Sequence, residues 1–214
     1  MVEVAAIVEA LERNYPDPRI ELRFSTPLEL LIATILSAQC TDERVNIVTQ
    51  TLFKKYRSAG DYASADINEL EEEIRTTGFF KNKARMIIGC ARKLDSDFGG
   101  KVPDTLDALT TLSGVGRKTA SVVLIAAFGV PAIAVDTHVL RVSNRLGLVS
   151  IPKDADKVEM TLRGLIPKQS WIGFTLSVVL FGRHVCKAKK PLCGDCFLYE
   201  MCQWPDKNKH KSKP

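Results

Sequence analysis

An all-α chain is predicted by three observations. Apolar residues recur at helical spacing, capping signals punctuate the sequence at short intervals, and no stretch alternates apolar and polar residues as a strand would. Val4, Ile7, Val8 and Leu11 fall at i, i+3, i+4 and i+7, one buried face of a first helix that Tyr15-Pro16-Asp17-Pro18 stops. Thr26-Pro27-Leu28-Glu29 joins a capping-box pattern to a proline at the first helical position, so a second helix starts there. It is apolar almost all round through Leu36 and belongs at the centre of a core. Ser37-Ala38-Gln39-Cys40-Thr41-Asp42 breaks it, and Val45, Val48, Leu52 and Tyr56 mark a third helix. Asp66-Ile67-Asn68-Glu69 caps a short helix leading to Gly78. Phe79-Phe80-Lys81-Asn82-Lys83-Ala84 opens another, with Ile87, Ala91 and Leu94 on its apolar face. One of the two phenylalanines is expected in the core; the other, exposed at the helix junction, would suit a wedge into a base stack. Pro103-Asp104-Thr105 starts the next helix, and Asp136 precedes one from Thr137 through Leu146. Asp154 and Ser170 read as N-caps of two more, the last running to His184.

The totals set bounds. A chain of 214 residues, 45% hydrophobic and 26% charged, can bury the core of one large domain or two modest ones. The start lacks the basic-then-apolar pattern of an export signal. The longest apolar run, Val122 to Val135, is broken by Gly129 and Pro131 and is too short to span a bilayer, so no membrane partner is expected. Cys40 and Cys90 lie far from the other cysteines, which points to a reducing cytoplasm. The net charge is +5, and from residue 20 to 133 the charges cancel. From Arg183 onward eight Lys/Arg face three Asp/Glu, so the excess sits in the last segment and suits a polyanion. Lys207 to Lys213 reads as a solvated basic tail.

The most informative stretch is Leu112-Ser113-Gly114-Val115-Gly116-Arg117-Lys118-Thr119-Ala120. Two glycines around one apolar residue, followed at once by an apolar helix, read as a hairpin between two helices. Amides at the N-terminus of the second helix can hold a phosphate. Lys118 falls in that helix's first turn, where the helix dipole disfavours a cation and favours the neutral, nucleophilic amine. The alternative is an ordinary surface lysine beside an ordinary turn.

Cys186, Cys193, Cys196 and Cys202 form a C-x6-C-x2-C-x5-C loop. Four thiolates in one short loop can close a tetrahedral zinc site or hold an iron–sulfur cluster; spacing alone leaves that choice open. The loop also projects Lys187, Lys189 and Lys190 toward a phosphate backbone.

With these segments located, the chain resembles the endonuclease III family of helix-hairpin-helix DNA glycosylases. The resemblance rests on Ser37-Ala38-Gln39 with Thr41-Asp42, Gly78-Phe79 with Lys83-Ala84, and the Gly114–Ala120 run. It continues through Ala134-Val135-Asp136-Thr137-His138, Gly182-Arg183 and the cysteine loop. It implies a six-helix barrel over residues 20–133, holding the hairpin at about 105–128. A discontinuous helical domain of 1–19 plus 134–214 would carry a [4Fe–4S] cluster on the four cysteines, with DNA in the cleft between. It implies a bifunctional DNA glycosylase and AP lyase of base excision repair acting on double-stranded DNA with damaged pyrimidines or abasic sites. Lys118 would be the Schiff-base nucleophile and Asp136 the essential carboxylate, a role compatible with capping the helix at Thr137. Gln39, Phe79, Lys83, Gly114, Val115, Gly116 and His138 would contact DNA, with Gln39 and Phe79 filling the gap left by a flipped base; His138 reads as DNA-facing or packing rather than as a base. A monomer, cytoplasmic and nucleoid-associated in a prokaryote, is expected. The competing readings are a mismatch glycosylase on the same scaffold and a non-catalytic DNA-binding module. Ser113 stands where the family often has proline. Cys40 stands where it often has a small residue without a thiol, and a buried thiol is expected there.

Overall fold

The computed structural model describes residues 3–211. Met1, Val2 and Lys213 of the basic tail lie outside them. All regular structure among these residues is helical, and no helix is long and apolar enough to cross a membrane. The chain divides into two compact units, residues 20–130 and residues 1–19 with 131–214.

The first unit contains α2 (Pro27–Leu36), α3 (Asp42–Lys55), α4 (Ala59–Ala63), α5 (Ile67–Glu73), α6 (Phe80–Phe98), α7 (Leu106–Thr110) and α8 (Arg117–Phe128). Every residue of α2 from Leu30 to Leu36 is buried, as its all-round apolar sequence requires, and α8 and α3 pack against it. Its start is the expected cap: Thr26 Oγ1 accepts the Glu29 N–H at 3.2 Å. The Glu29 carboxylate reaches one residue further back, to the Ser25 N–H. Helix α6 buries Ala84, Ile87, Ile88, Ala91 and Leu94 against α4 and α5. Helix α4 has no counterpart in the sequence reading. Five residues are too few to display a period, yet Ser58 and Asp61 form a complete capping box there. Neither Phe79 nor Phe80 enters the core: Phe80 is half-buried and Phe79 is 65% exposed.

The second unit gathers α1 (Val4–Asn14), α9 (Thr137–Leu146), α10 (Ala155–Leu165) and α11 (Trp171–His184). Ile7, Leu11, Val139, Val142, Leu162, Phe174 and Phe181 form its core. Burying Phe174 or Phe181 is worth roughly 1.5–3 kcal/mol each. Asp154 caps α10 as expected, accepting the Lys157 N–H. Ser170 caps nothing with its side chain. It ends a 3-10 turn, Lys168–Ser170, that runs straight into α11, and the junction is held by Trp171 Nε1–H donating to the Ile166 carbonyl at 2.8 Å.

Candidate active site and metal centre

The hairpin joins α7 to α8. Leu109, Leu112 and Val115 are buried and anchor it, and the Val115 N–H donates back to the Leu112 carbonyl at 3.2 Å. Val115, expected among the DNA-contacting residues, therefore turns its side chain inward and uses its amide within the turn. Gly114 has φ +77°, and a Cβ there would lie 2.9 Å from Met86 Cβ, so glycine is demanded by conformation and by packing alike. Gly116 is different: φ is −89° and a Cβ would meet nothing within 4 Å. Nothing inside the protein requires a glycine at that exposed position.

Gly116 is the N-cap of α8, so Lys118 is its second residue. The side chain is exposed and makes no hydrogen bond or ion pair among the described residues. Asp136 caps α9 with one oxygen, Oδ1 accepting the N–H groups of His138 and Val139 at 2.8 Å each. His138 is half-buried, with Nδ1 3.2 Å from Arg141 Nη2. It packs so closely on α11 that a Cβ at Gly182 would lie 2.9 Å from His138 Cβ. Burial pulls its pKa below 6.5, helped by Arg141 and Arg183 and opposed by Asp136 and the Gly182 carbonyl. The ring is therefore a neutral packing element that can accept from Arg141.

Gln39 and Phe79 are both exposed and sit in separate loops of the first unit. Lys83, expected to contact DNA, does not reach the surface. It is 3% exposed, and its ammonium donates to the Leu36 carbonyl at 2.7 Å and the Thr77 carbonyl at 2.8 Å. A side chain held this way is not offered to a phosphate. Cys40 is half-buried rather than enclosed, whereas Cys90 is fully buried and its thiol is pushed up to about 12, which makes it inert.

The four C-terminal cysteines line one cavity together with Leu146 and Phe181. Among the described residues no three His, Cys, Asp or Glu side chains converge closely enough to grip a single metal ion. Four thiols around a shared cavity supply the donor set of an iron–sulfur core. Burial, together with the neighbouring thiols, pushes Cys196 up to about 11 and raises Cys193 and Cys202, so holding these three as thiolates calls for a bound metal cation among them.

Two arginines that the sequence reading did not single out hold this loop. Arg141 donates to the carbonyls of Gly182 and Cys186, and Arg145 to those of Lys187 and Ala188 at 2.8 and 3.0 Å. Arg145 Nη1 also lies 3.5 Å from Cys186 Sγ, with its guanidinium over the Trp204 ring. Their only sequence signal is an i, i+4 arginine pair on α9. Lys207 is no solvated tail residue either, since its ammonium donates to the Tyr199 and Cys202 carbonyls at 2.8 Å each.

Comparison with known proteins agrees with this geometry. Residues 32–168 match the HhH-GPD superfamily of base excision DNA repair proteins, and residues 186–202 match the iron–sulfur binding domain of endonuclease III. A curated relative, endonuclease III of Synechocystis sp., is 50% identical over 197 residues, covering 92% of this chain and 90% of its own. A solved non-covalent endonuclease III–DNA complex superposes with a TM-score of 0.92 at 45% identity, covering 100% of both chains. A trapped endonuclease III–DNA covalent intermediate gives 0.91 at 45% identity, covering 98% of this chain and 99% of that one. These define a base excision repair glycosylase built on a helix-hairpin-helix. The chain belongs to the endonuclease III family. It is a DNA glycosylase with AP lyase activity, and its cofactor is a [4Fe–4S] cluster.

Proposed function

We propose that the protein acts as a monomer on double-stranded DNA, removing damaged pyrimidines through a Schiff base on Lys118 and cutting the strand 3′ to the lesion. The observation that carries this is the position of Lys118, exposed and without a side-chain partner among the described residues, in the first turn of the helix that follows the hairpin. Its second support is the similarity to an endonuclease III captured covalently on DNA.

A base inside the stack hides its C1′, so the nucleotide is flipped out first. Gln39 and Phe79 fill the gap, while the exposed Gly114–Gly116 surface and the α8 amides receive a phosphate. The unprotonated amine of Lys118 attacks C1′. The C1′–N bond breaks, and the base leaves with the electron pair and takes up a proton. Opening of the C1′–O4′ bond leaves an iminium between C1′ and Nζ. That cation acidifies the C2′ hydrogen; its removal sends an electron pair to form the C1′–C2′–C3′ conjugated system and expels the 3′ phosphate. Water then releases the lysine. Asp136 serves as the carboxylate that accepts a proton or offsets sugar charge, using the oxygen its cap leaves over. Cys186, Cys193, Cys196 and Cys202 hold the cluster, which when bound ties the cysteine loop into a rigid platform for Lys187, Lys189 and Lys190. The cytoplasm, with nucleoid association in a prokaryote, is the setting that suits this activity.

Borohydride reduction of the iminium tests the reading. Wild-type protein should be captured covalently on thymine-glycol or abasic-site duplex, and Lys118→Ala should lose the captured band while keeping duplex affinity. Capture by Lys118→Ala would move the nucleophile elsewhere. Absence of capture by the wild type would leave a monofunctional glycosylase or a binding module.

A further inference from the structure

Among the described residues only two non-glycine residues have positive φ, Gln39 at +53° and Phe79 at +49°. Neither side chain favours that region, and each costs about 1–2 kcal/mol there. Both stand in exposed loops, so no packing of their own side chains pays for the strain.

Each loop has its own backbone hydrogen bonds, and one atom, Lys83 Nζ, ties the two together. Leu36 is the last residue of α2, three before Gln39; Thr77 ends the 3-10 turn Arg75–Thr77, two before Phe79. Each carbonyl belongs to a helix end, where acceptors are left over and the local field is negative. Lys83, one turn into α6, places its ammonium between them and donates to both. Among the described residues no ion pair neutralises this buried cation, and burial lowers its pKa; the nearby Cys40 opposes that shift. A cation is an expensive way to cap two short helix ends when neither end needs to be positioned against the other.

We propose that Lys83 is a positioning residue for base extrusion: it clamps the loops of Gln39 and Phe79 to one point, so that both side chains enter the DNA stack in fixed register, without itself touching DNA. This rests on the reading that Gln39 and Phe79 fill the gap left by the flipped nucleotide. A loss of register of about 1 Å costs as much as 100-fold in rate where groups must meet a substrate together.

The test separates extrusion from chemistry. Lys83→Met keeps the volume and removes the donors; Lys83→Arg keeps a cation with donors for both carbonyls. Single-turnover base release from a thymine-glycol duplex should fall about 10- to 100-fold in Lys83→Met and recover at least partly in Lys83→Arg. Borohydride capture on a single-stranded abasic oligonucleotide, where no base is extruded and no gap is filled, should stay within about twofold in both. In a Gln39→Ala/Phe79→Ala background, Lys83→Met should add almost nothing, because the elements it positions are gone. Parallel loss of both activities, or a full additive loss in that background, would reduce Lys83 to a folding residue and overturn the proposal. If Lys83→Met fails to fold, Lys83→Gln, which is too short to reach both carbonyls, decides: duplex base release more than about tenfold down with wild-type single-strand capture upholds the clamp, and equal losses, or no loss in either assay, overturn it. Should Gln39→Ala/Phe79→Ala release base at the wild-type rate in an enzyme that still captures abasic DNA, the gap-filling reading fails and not the lyase assignment.

Discussion

Two alanine substitutions in one hairpin should behave oppositely. At Gly114 the backbone has φ +77°, which costs an alanine about 1–2 kcal/mol. The new Cβ would also lie 2.9 Å from Met86 Cβ and 3.2 Å from its Cγ and Sδ. Met86 Cβ is fixed to the α6 backbone and cannot swing away, so overpacking adds about 1–3 kcal/mol. The stiffer unfolded chain returns about 0.4–1 kcal/mol. The net loss is about 1–4.6 kcal/mol, or about 2–18 °C in the midpoint of thermal unfolding. At Gly116 the backbone is already in a region alanine adopts, and a Cβ meets nothing within 4 Å. A poorer N-cap costs up to about 1 kcal/mol there and the unfolded-state gain offsets it, so stability stays within about 0.5 kcal/mol of wild type. Circular dichroism melts of the cluster-loaded protein measure both, and filter binding to undamaged duplex measures affinity. Gly116→Ala should then separate the two readouts, with an unchanged melt and weakened binding, because its missing Cβ serves something that approaches from outside. Equal melting losses at the two positions, or a neutral Gly114→Ala, would refute this account of the hairpin.

Three further outcomes follow from the second unit. Asp136→Asn keeps an equally good cap and should hold stability within about 0.5 kcal/mol, whereas Asp136→Ala should lose about 1 kcal/mol; both should release base far more slowly, and an active Asn variant would show that the charge is dispensable. His138 has a folded pKa below its unfolded value of 6.5, so the unfolded chain binds more protons in that window. Stability should therefore drop as pH falls from 6.5 toward the folded pKa, and His138→Asn should flatten that slope in urea titrations; an unchanged slope would assign it to another group. Arg145→Met removes two carbonyl bonds from the cysteine loop and a donor beside Cys186 Sγ, and should speed chelator-driven bleaching of the visible absorbance about 10- to 100-fold. A wild-type bleaching rate would make Arg145 a surface residue only.

What could be read from the sequence was local. The caps at Thr26, Asp66, Asp136 and Asp154 were legible because an N-cap and the amides it serves lie within three residues of each other. The buried all-round face of α2 was legible for the same reason, as was the placement of Lys118 in the first turn of α8. Helix α4 escaped because it is shorter than two turns, and Ser170 misled because a preceding 3-10 turn had taken the capping position. Lys83 is the sharpest failure. Its partner Leu36 lies 47 residues away, and no pattern around Lys83 reveals that two distant helix ends will converge on it. Arg141, Arg145 and Lys207 share that blindness, for their acceptors are backbone carbonyls, which carry no residue identity.

The order in which the chain leaves the ribosome bears on how these units form. Helix α1 belongs with α11, its packing partner near the far end of the sequence, while residues 20–130 close a unit of their own. The inner unit can fold as soon as it is made, whereas the first helix must wait, its apolar face uncovered, until the last third has been synthesised. Nascent-chain arrest before residue 171 should therefore give a protected middle and a protease-sensitive beginning.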